Sequence, residues 1–166
     1  MRIRRATRLC SAAGAIALAL FLGVTGAEAC VCVQATTMKL VDHATDAFVA
    51  RVIAGPLPVA IGGVQDPTPD EIMVDRVAYT VQVTDSLKGP LRRRSQIQVI
   101  TPASEAACGY VFKPGELYLI LAKRHPAGLI TTSCRGNATG ESLPGAVLGV
   151  RRVVGVPPPP PPPLIP

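Results

Sequence analysis

A regular strand pattern runs through Val77-Ala78-Tyr79-Thr80-Val81-Gln82-Val83. Large apolar side chains occupy every second position, and smaller or polar residues lie between them. Successive side chains of a β-strand point to opposite faces, so this alternation is typical of a strand with one buried face. We therefore expect residues 77–83 to form a half-buried strand of a β domain.

Four further segments have the length and apolar content of strands. They cover residues 47–53, 96–101, 116–123 and 129–134. Turn signals separate them, namely Lys88-Gly89-Pro90, Lys113-Pro114-Gly115 and Pro126-Ala127-Gly128. One segment, 36–44, is predicted to be helical, with Thr37 as the N-cap and Met38, Val41 and Ala44 on one stripe.

These elements indicate a mainly β fold. Five strands and one or two short helices within residues 30–143 fit a five-stranded, OB-fold-like Greek-key barrel with two disulfides. A β-sandwich is the alternative, but it needs about seven strands. The long loop 62–75 carries four acidic residues, whose spacing matches no calcium loop. We therefore expect no intrinsic metal site and no cofactor.

The first 29 residues have the composition of a signal peptide. Four arginines lie among the first ten residues, residues 9–27 carry no charge, and Ala27-Glu28-Ala29 ends the segment with small residues. An uncleaved membrane anchor is the alternative, since the apolar stretch is nearly long enough to span a bilayer. We expect cleavage after Ala29, no stable membrane span afterwards, and a secreted, extracellular or cell-envelope protein.

The charge of the mature chain does not favour a nucleic-acid partner. The full chain has 17 basic and 11 acidic residues, and removing four arginines and one glutamate with the signal leaves about +3. Three tyrosines and three phenylalanines offer few platforms for stacking bases. The cluster Arg92-Arg93-Arg94 is interpreted as a solvated loop, and the isolated His43 and His125 are not predicted to bind metal.

Residues 144–166 are predicted to form a proline-rich, disordered tail. Seven consecutive prolines, Pro157 to Pro163, favour an extended polyproline II conformation that cannot join a core. The expected partner of this tail is the cell envelope or another protein.

Four cysteines remain after removal of the signal: Cys30, Cys32, Cys108 and Cys134. An even number in an exported domain indicates two disulfides. A bond between Cys30 and Cys32 would be strained, so each is expected to have a distant partner, although three connectivities remain open. Such bonds would attach the start of the mature chain to the domain. Its neutral α-amine and the neighbouring carbonyl could then chelate a metal held by another protein.

Several segments, in order over about residues 30–140, resemble the N-terminal, netrin-like domain of the tissue inhibitors of metalloproteinases (TIMP). The first are Cys30-Val31-Cys32, Asp46-Ala47-Phe48-Val49-Ala50-Arg51-Val52, and Tyr79 to Val83 with Leu87-Lys88-Gly89. The strongest is Thr101-Pro102-Ala103-Ser104-Glu105-Ala106-Ala107-Cys108-Gly109-Tyr110. After it come Tyr118-Leu119-Ile120 with Ala122-Lys123, and Gly128-Leu129-Ile130-Thr131-Thr132-Ser133-Cys134.

The resemblance implies a metalloprotease inhibitor, not an enzyme, with disulfides Cys30–Cys108 and Cys32–Cys134 in an OB-type barrel. Its partner would be a zinc metalloprotease. In this family the amine and carbonyl of the first cysteine chelate the target's zinc, and the second residue enters the specificity pocket. Here these residues are Cys30 and Val31. The other residues implied for the target-binding edge are Cys32, Val33, Ala106 and Ala107.

The chain also departs from the family pattern. It has no counterpart of the third inhibitor-domain disulfide or of the six-cysteine C-terminal subdomain. Netrin-like domains also occur in proteins that inhibit no protease, since a fold does not define a function. The alternative is therefore a cell-envelope or extracellular protein-binding or structural module, in one version with a lipid on Cys30. A thiol oxidoreductase is not favoured, because the spacing is not Cys-x-x-Cys.

Overall fold

The computed structural model describes residues 30–59 and 76–158. The predicted signal peptide, the acidic loop 62–75 and the end of the proline run lie outside these residues. Two helices and six strands follow one another along the described chain: α1 (Thr37–His43), β1 (Asp46–Val59), β2 (Arg76–Lys88), β3 (Gln96–Pro102), β4 (Leu117–His125), β5 (Gly128–Ile130), β6 (Ala138–Thr139) and α2 (Leu143–Val154). Neither α1 nor α2 is long and apolar enough to cross a membrane.

The strands form one sheet that closes on itself. Its order is β1-β2-β3-β5-β4, and β1 pairs with β4 as well, so the two ends of the sheet meet. The pairing of β3 with β5 is parallel, and the other pairings are antiparallel. The short β6 pairs with β4 beside β5. The prediction of a mainly β fold is confirmed, and the OB-type classification stays a prediction.

The closed sheet has an apolar cluster on each of its faces. The inner cluster includes Phe48, Tyr79, Phe112, Tyr118 and Ile120. The outer cluster lies beneath the helices and includes Val41, Val49, Leu119, Leu121 and Val150. Successive residues of β4 alternate between the two clusters. A strand buried on both faces needs apolar residues at every position, which explains the unbroken apolar run in β4.

The N-cap of α1 is Thr36 and not the predicted Thr37. Thr36 has an extended backbone, and its hydroxyl accepts a hydrogen bond from the amide of Lys39 at 3.4 Å. This bond satisfies one of the amides that the first turn of a helix leaves without a partner. Val41 is buried as predicted, whereas Met38 is 62% exposed. Leu40 instead packs on the outer cluster.

The prediction of a disordered tail from residue 144 is wrong for residues 144–154. These residues belong to α2, which buries Val150 against the outer cluster. Arg151 of α2 forms an ion pair with Asp85 of β2 and donates to the carbonyl oxygen of Pro157 at 2.6 Å. Tertiary burial and this ion pair stabilise a helix whose glycines lower its intrinsic propensity. The domain therefore extends beyond the predicted boundary at residue 143.

The last predicted strand, 129–134, is shorter in the structure. β5 ends at Ile130, because Ser133–Arg135 form a turn of 3₁₀-helix. The chain then pairs with β4 again through β6, which the sequence analysis did not anticipate.

Aromatic rings fill one part of the inner cluster, around Tyr118. Tyr110, Phe112 and Tyr118 contact one another, with ring centroids 4.7–5.9 Å apart. The Tyr118 hydroxyl donates to a Glu116 carboxylate oxygen at 2.8 Å and accepts from the amide of Lys113 at 3.0 Å. Burial raises the pKa of Tyr118 to about 12, and the Glu116 carboxylate adds to this effect although the Lys113 amide opposes it.

We expect this phenol to make stability fall between pH 10 and pH 12. Unfolded Tyr118 ionises near the usual pKa of 10.0, whereas the folded protein keeps the proton to about pH 12. The stabilisation is thus complete below pH 10 and declines as the pH rises, by at most about 1.4 kcal/mol per pH unit. Urea unfolding at several pH values from pH 8 to pH 12 measures this decline in the free energy of unfolding. The free energy of unfolding of Tyr118→Phe should decline less steeply with pH than that of the native protein. Equal slopes of the two would show that this phenol is not the cause.

Candidate functional site

Two disulfides attach the segment at Cys30 to the body of the domain. Cys30 is bonded to Cys108 and Cys32 to Cys134, with a Cα–Cα distance of 5.1 Å in each pair. This distance is within the ordinary range for disulfides. The pairing implied by the family resemblance is therefore confirmed. Each bond leads to a different segment, one after β3 and one after β5.

The two disulfides lie against each other. Cys134 Sγ is 3.6 Å from Cys30 Sγ and 3.9 Å from Cys108 Sγ. Three sulfurs this close have the spacing of metal ligands, but each is already bonded to a second sulfur. Because a metal binds the thiolate form of cysteine, this cluster is a covalent anchor and not a metal site.

The chain between and after the first two cysteines is exposed. Val31 is 88% exposed and Val33 is 87% exposed, and the described residues from Cys30 to Thr36 form neither helix nor strand. Two large apolar side chains thus face solvent on either side of a cysteine that is bonded to the domain. Burial of an exposed valine by a partner stabilises the complex, by about 2 kcal/mol if the burial is complete.

A short turn beside Cys108 forms the second part of the site. Ser104 organises it: its hydroxyl accepts from the amide of Ala107 at 3.2 Å, and its carbonyl accepts from the amide of Gly109 at 2.8 Å. Cys108 lies in the left-handed region, with φ 61°. At Gly109 a Cβ atom would lie 2.2 Å from the carbonyl oxygen of Pro102, so only glycine fits there. The turn is therefore strongly constrained on both sides of the cysteine.

The segment that carries Cys134 is bonded to this turn and to β4. The amide of Ser133 donates to the carbonyl of Cys108 at 2.9 Å. Asn137 donates through its side chain to the carbonyl of Thr132 at 3.2 Å, and its side-chain oxygen accepts from the amide of Leu121 at 3.0 Å. Both cysteine partners of the N-terminal segment are thus part of one hydrogen-bonded network.

The structure brings the predicted site residues together along one edge, which we call the N-terminal edge. One part of it is the exposed segment 30–33. The other part is the turn with Ala106, which is exposed, and Ala107, which is half-buried. The Cys30–Cys108 bond joins the two parts, since Ala107 directly precedes Cys108.

Two charged residues adjoin the N-terminal edge. Glu105 is exposed in the turn, and Arg135 directly follows Cys134. The Nε of Arg135 is buried and has no hydrogen-bond partner among the described residues.

Sequence reasoning missed the residues that orient this edge: Ser104, Gly109, Ser133 and Asn137. A glycine directly after a cysteine in a turn was the available signal for Gly109. The other three are ordinary polar residues. Ser133 bonds to Cys108 in the distant turn and Asn137 bonds to Leu121 in β4, so no local sequence pattern identifies either residue.

Comparison with known proteins agrees with this geometry. The family model described as "Tissue inhibitor of metalloproteinase" matches residues 28–138, a range that includes all four paired cysteines and both parts of the N-terminal edge. No curated protein matches the chain significantly. The match covers more than half of the 166 residues. The chain therefore belongs to the tissue inhibitor of metalloproteinase family, whose members are protease inhibitors and not enzymes.

Proposed function

We propose that this protein is secreted and inhibits a zinc metalloprotease by chelating its catalytic zinc through the α-amine and carbonyl oxygen of Cys30. The proposal rests on cleavage after Ala29, which would make Cys30 the first residue. The observation that carries it is the double covalent attachment of the first three residues of that mature chain. Chain ends normally fray unless they are attached to the domain, and here two disulfides attach one.

The attachment favours chelation for an entropic reason. A free chain end would lose its conformational freedom on binding, at a cost of about 1–2 kcal/mol per residue. The disulfides at Cys30 and Cys32 remove much of that freedom before the partner arrives. A catalytic zinc keeps one position open for water or substrate, and an amine with its adjacent carbonyl can occupy this region as a five-membered chelate.

The side chains beside Cys30 support the same arrangement. Val31 is exposed and could enter an apolar pocket next to the zinc. Ala106 and Ala107 flank the position with short side chains, so the partner's backbone can approach closely. Burial of Val31 would contribute about 2 kcal/mol to binding. Cys32 and Val33 continue the contact surface along the exposed segment.

The test compares three forms of the protein that differ only at the start of the chain. They are the form beginning at Cys30, a form with one additional alanine before it, and a form with an acetylated amine. Both changes remove the terminal amine from position 30, so we expect the inhibition constant against a susceptible zinc metalloprotease to rise at least about 100-fold. Because only the neutral amine can chelate, inhibition by the first form should also weaken below about pH 7.7.

Two controls accompany this measurement. Disulfide mapping and thermal unfolding should give the same result for all three forms, which excludes misfolding as the cause. The intact mass of the exported protein should correspond to a chain that begins at an unmodified Cys30. Equal inhibition by all three forms, or a lipid on Cys30, would contradict the chelation mechanism and would favour a binding or structural module.

A further inference from the structure

We propose that the protein has a second binding site, a cationic cleft at the turn between β2 and β3 that binds an acidic polysaccharide. The cleft has a volume of about 600 Å³ and is lined by Gln82, Val83, Thr84, Arg93 and Arg94. Its lining includes two guanidinium groups and no carboxylate. None of these residues belongs to the N-terminal edge, so this site is independent of the proposed inhibition.

The two arginines are held in place by β2. Arg93 Nε donates to the carbonyl of Thr84 at 2.9 Å, which leaves the terminal nitrogens of its guanidinium for other partners. The amide of Arg94 donates to the carbonyl of Val83 at 2.7 Å, and the amide of Val83 donates to the carbonyl of Ser95 at 2.9 Å. These bonds orient the turn on a rigid strand, as a preformed binding site requires.

The turn between β2 and β3 is unfavourable for its three arginines, both in backbone conformation and in charge. Arg94 has φ 68°, in the left-handed region where glycine or asparagine is usual. Three successive arginines also repel one another, and Arg92, Arg93 and Arg94 are all exposed. Asp85, the acidic residue next to Thr84 in the chain, is already paired with Arg151. A ligand that brings negative charge would relieve this repulsion, and neither apolar cluster includes these side chains.

The surroundings favour a polysaccharide over a membrane. A membrane-binding loop normally carries large apolar side chains that enter the lipid. Such exposed residues occur elsewhere in the described chain: Val31, Val33, Met38, Ile53, Leu57, Val111 and Leu148. None lies in the turn at 89–95. Leu91, its one large apolar residue, is half-buried against the inner cluster.

A nucleic acid fits this cleft less well. Binding of single strands relies on aromatic side chains that stack on the bases. The three tyrosines lie within or against the inner cluster, and no aromatic residue lines the cleft. Arginine pairs in a bidentate manner with the oxygens of sulfate and carboxylate groups. A polymer with such groups at regular intervals can bind both arginines at once.

The experiment measures the binding of a heparin octasaccharide to the folded protein by calorimetry at 50 and 150 mM salt. The cleft variant is Arg93→Gln with Arg94→Gln. The matched control is Lys113→Gln with Lys123→Gln, which removes two exposed cations outside the cleft. We expect the cleft variant to bind at least about 10-fold more weakly than the native protein, because charge-assisted hydrogen bonds are lost. The control should bind within about 2-fold of the native protein and keep its salt dependence.

Further arms distinguish other ligands. Inorganic sulfate alone should bind far more weakly than the octasaccharide, since it cannot contact both arginines and the strand floor. Vesicles with anionic lipid should bind the cleft variant and the native protein equally, because their binding should not require Arg93 and Arg94. Equal losses of octasaccharide affinity in both double variants would show that binding depends on net charge alone, which would overturn the proposal of a site at the cleft. Absence of octasaccharide binding at 50 mM salt, or vesicle binding that requires the two arginines, would overturn the proposal.

Discussion

Replacing Cys32 and Cys134 together by serine is expected to lower the free energy of unfolding by about 4 kcal/mol. This bond joins residues 102 positions apart. Breaking it gives the unfolded chain much more conformational freedom and leaves few contacts to hold the exposed segment before Thr37. Equilibrium unfolding in urea, on a chain that begins at Cys30 and keeps the Cys30–Cys108 bond, measures the difference.

The double variant Cys30→Ser with Cys108→Ser provides a matched comparison. Its bond joins residues 78 positions apart, and loop-closure entropy depends only on the logarithm of this separation. The entropic contributions of the two bonds should therefore agree within about 0.3 kcal/mol. A loss below about 1 kcal/mol in either variant would contradict the view that these bonds anchor the N-terminal edge.

The second large effect is expected for Gly109→Ala. The added Cβ would lie 2.2 Å from the carbonyl oxygen of Pro102 and 2.6 Å from that of Ser104. Both atoms belong to the backbone of the turn, so neither can rotate away. We expect a loss of about 3 kcal/mol in the free energy of unfolding, at the upper end of ordinary overpacking. Inhibition of a target protease should fall as well, because the displaced turn carries Cys108 and through it Cys30.

Gly145→Ala is the control for this substitution. Gly145 lies in α2, and a Cβ atom there meets nothing within 4 Å. Alanine should stabilise the helix by about 1 kcal/mol relative to glycine. A variant Gly109→Ala with native stability would show that the turn can move and that its geometry does not orient the N-terminal edge.

The strands could be predicted because they depend on local patterns. Residues 77–83 lie within β2 and residues 96–101 lie within β3, since alternation marks a strand whose two faces differ in burial. The helix at 36–44 was also found, although its cap was displaced by one residue. An N-cap depends on the backbone conformation of one threonine, and Thr36 and Thr37 are chemically identical in the sequence.

The C-terminal part could not be predicted in the same way. Helix α2 has glycines at positions 145 and 149 and precedes a proline run, so its local composition favours a tail. It is stabilised by contacts with distant residues, namely burial of Val150 and the ion pair of Arg151 with Asp85. Tertiary contacts override weak propensity in such segments.

The sequence was sufficient to predict a mainly β chain, two disulfides among Cys30, Cys32, Cys108 and Cys134, and a resemblance to one inhibitor family. These properties follow from the period of the side chains, the cysteine count and local motifs. The folded structure was needed to show Ser104, Gly109 and Asn137 around the cysteines and the two arginines that line a cleft with Gln82, Val83 and Thr84. The physical reason is that these roles arise from hydrogen bonds and close contacts that a residue's own neighbours in the chain do not encode.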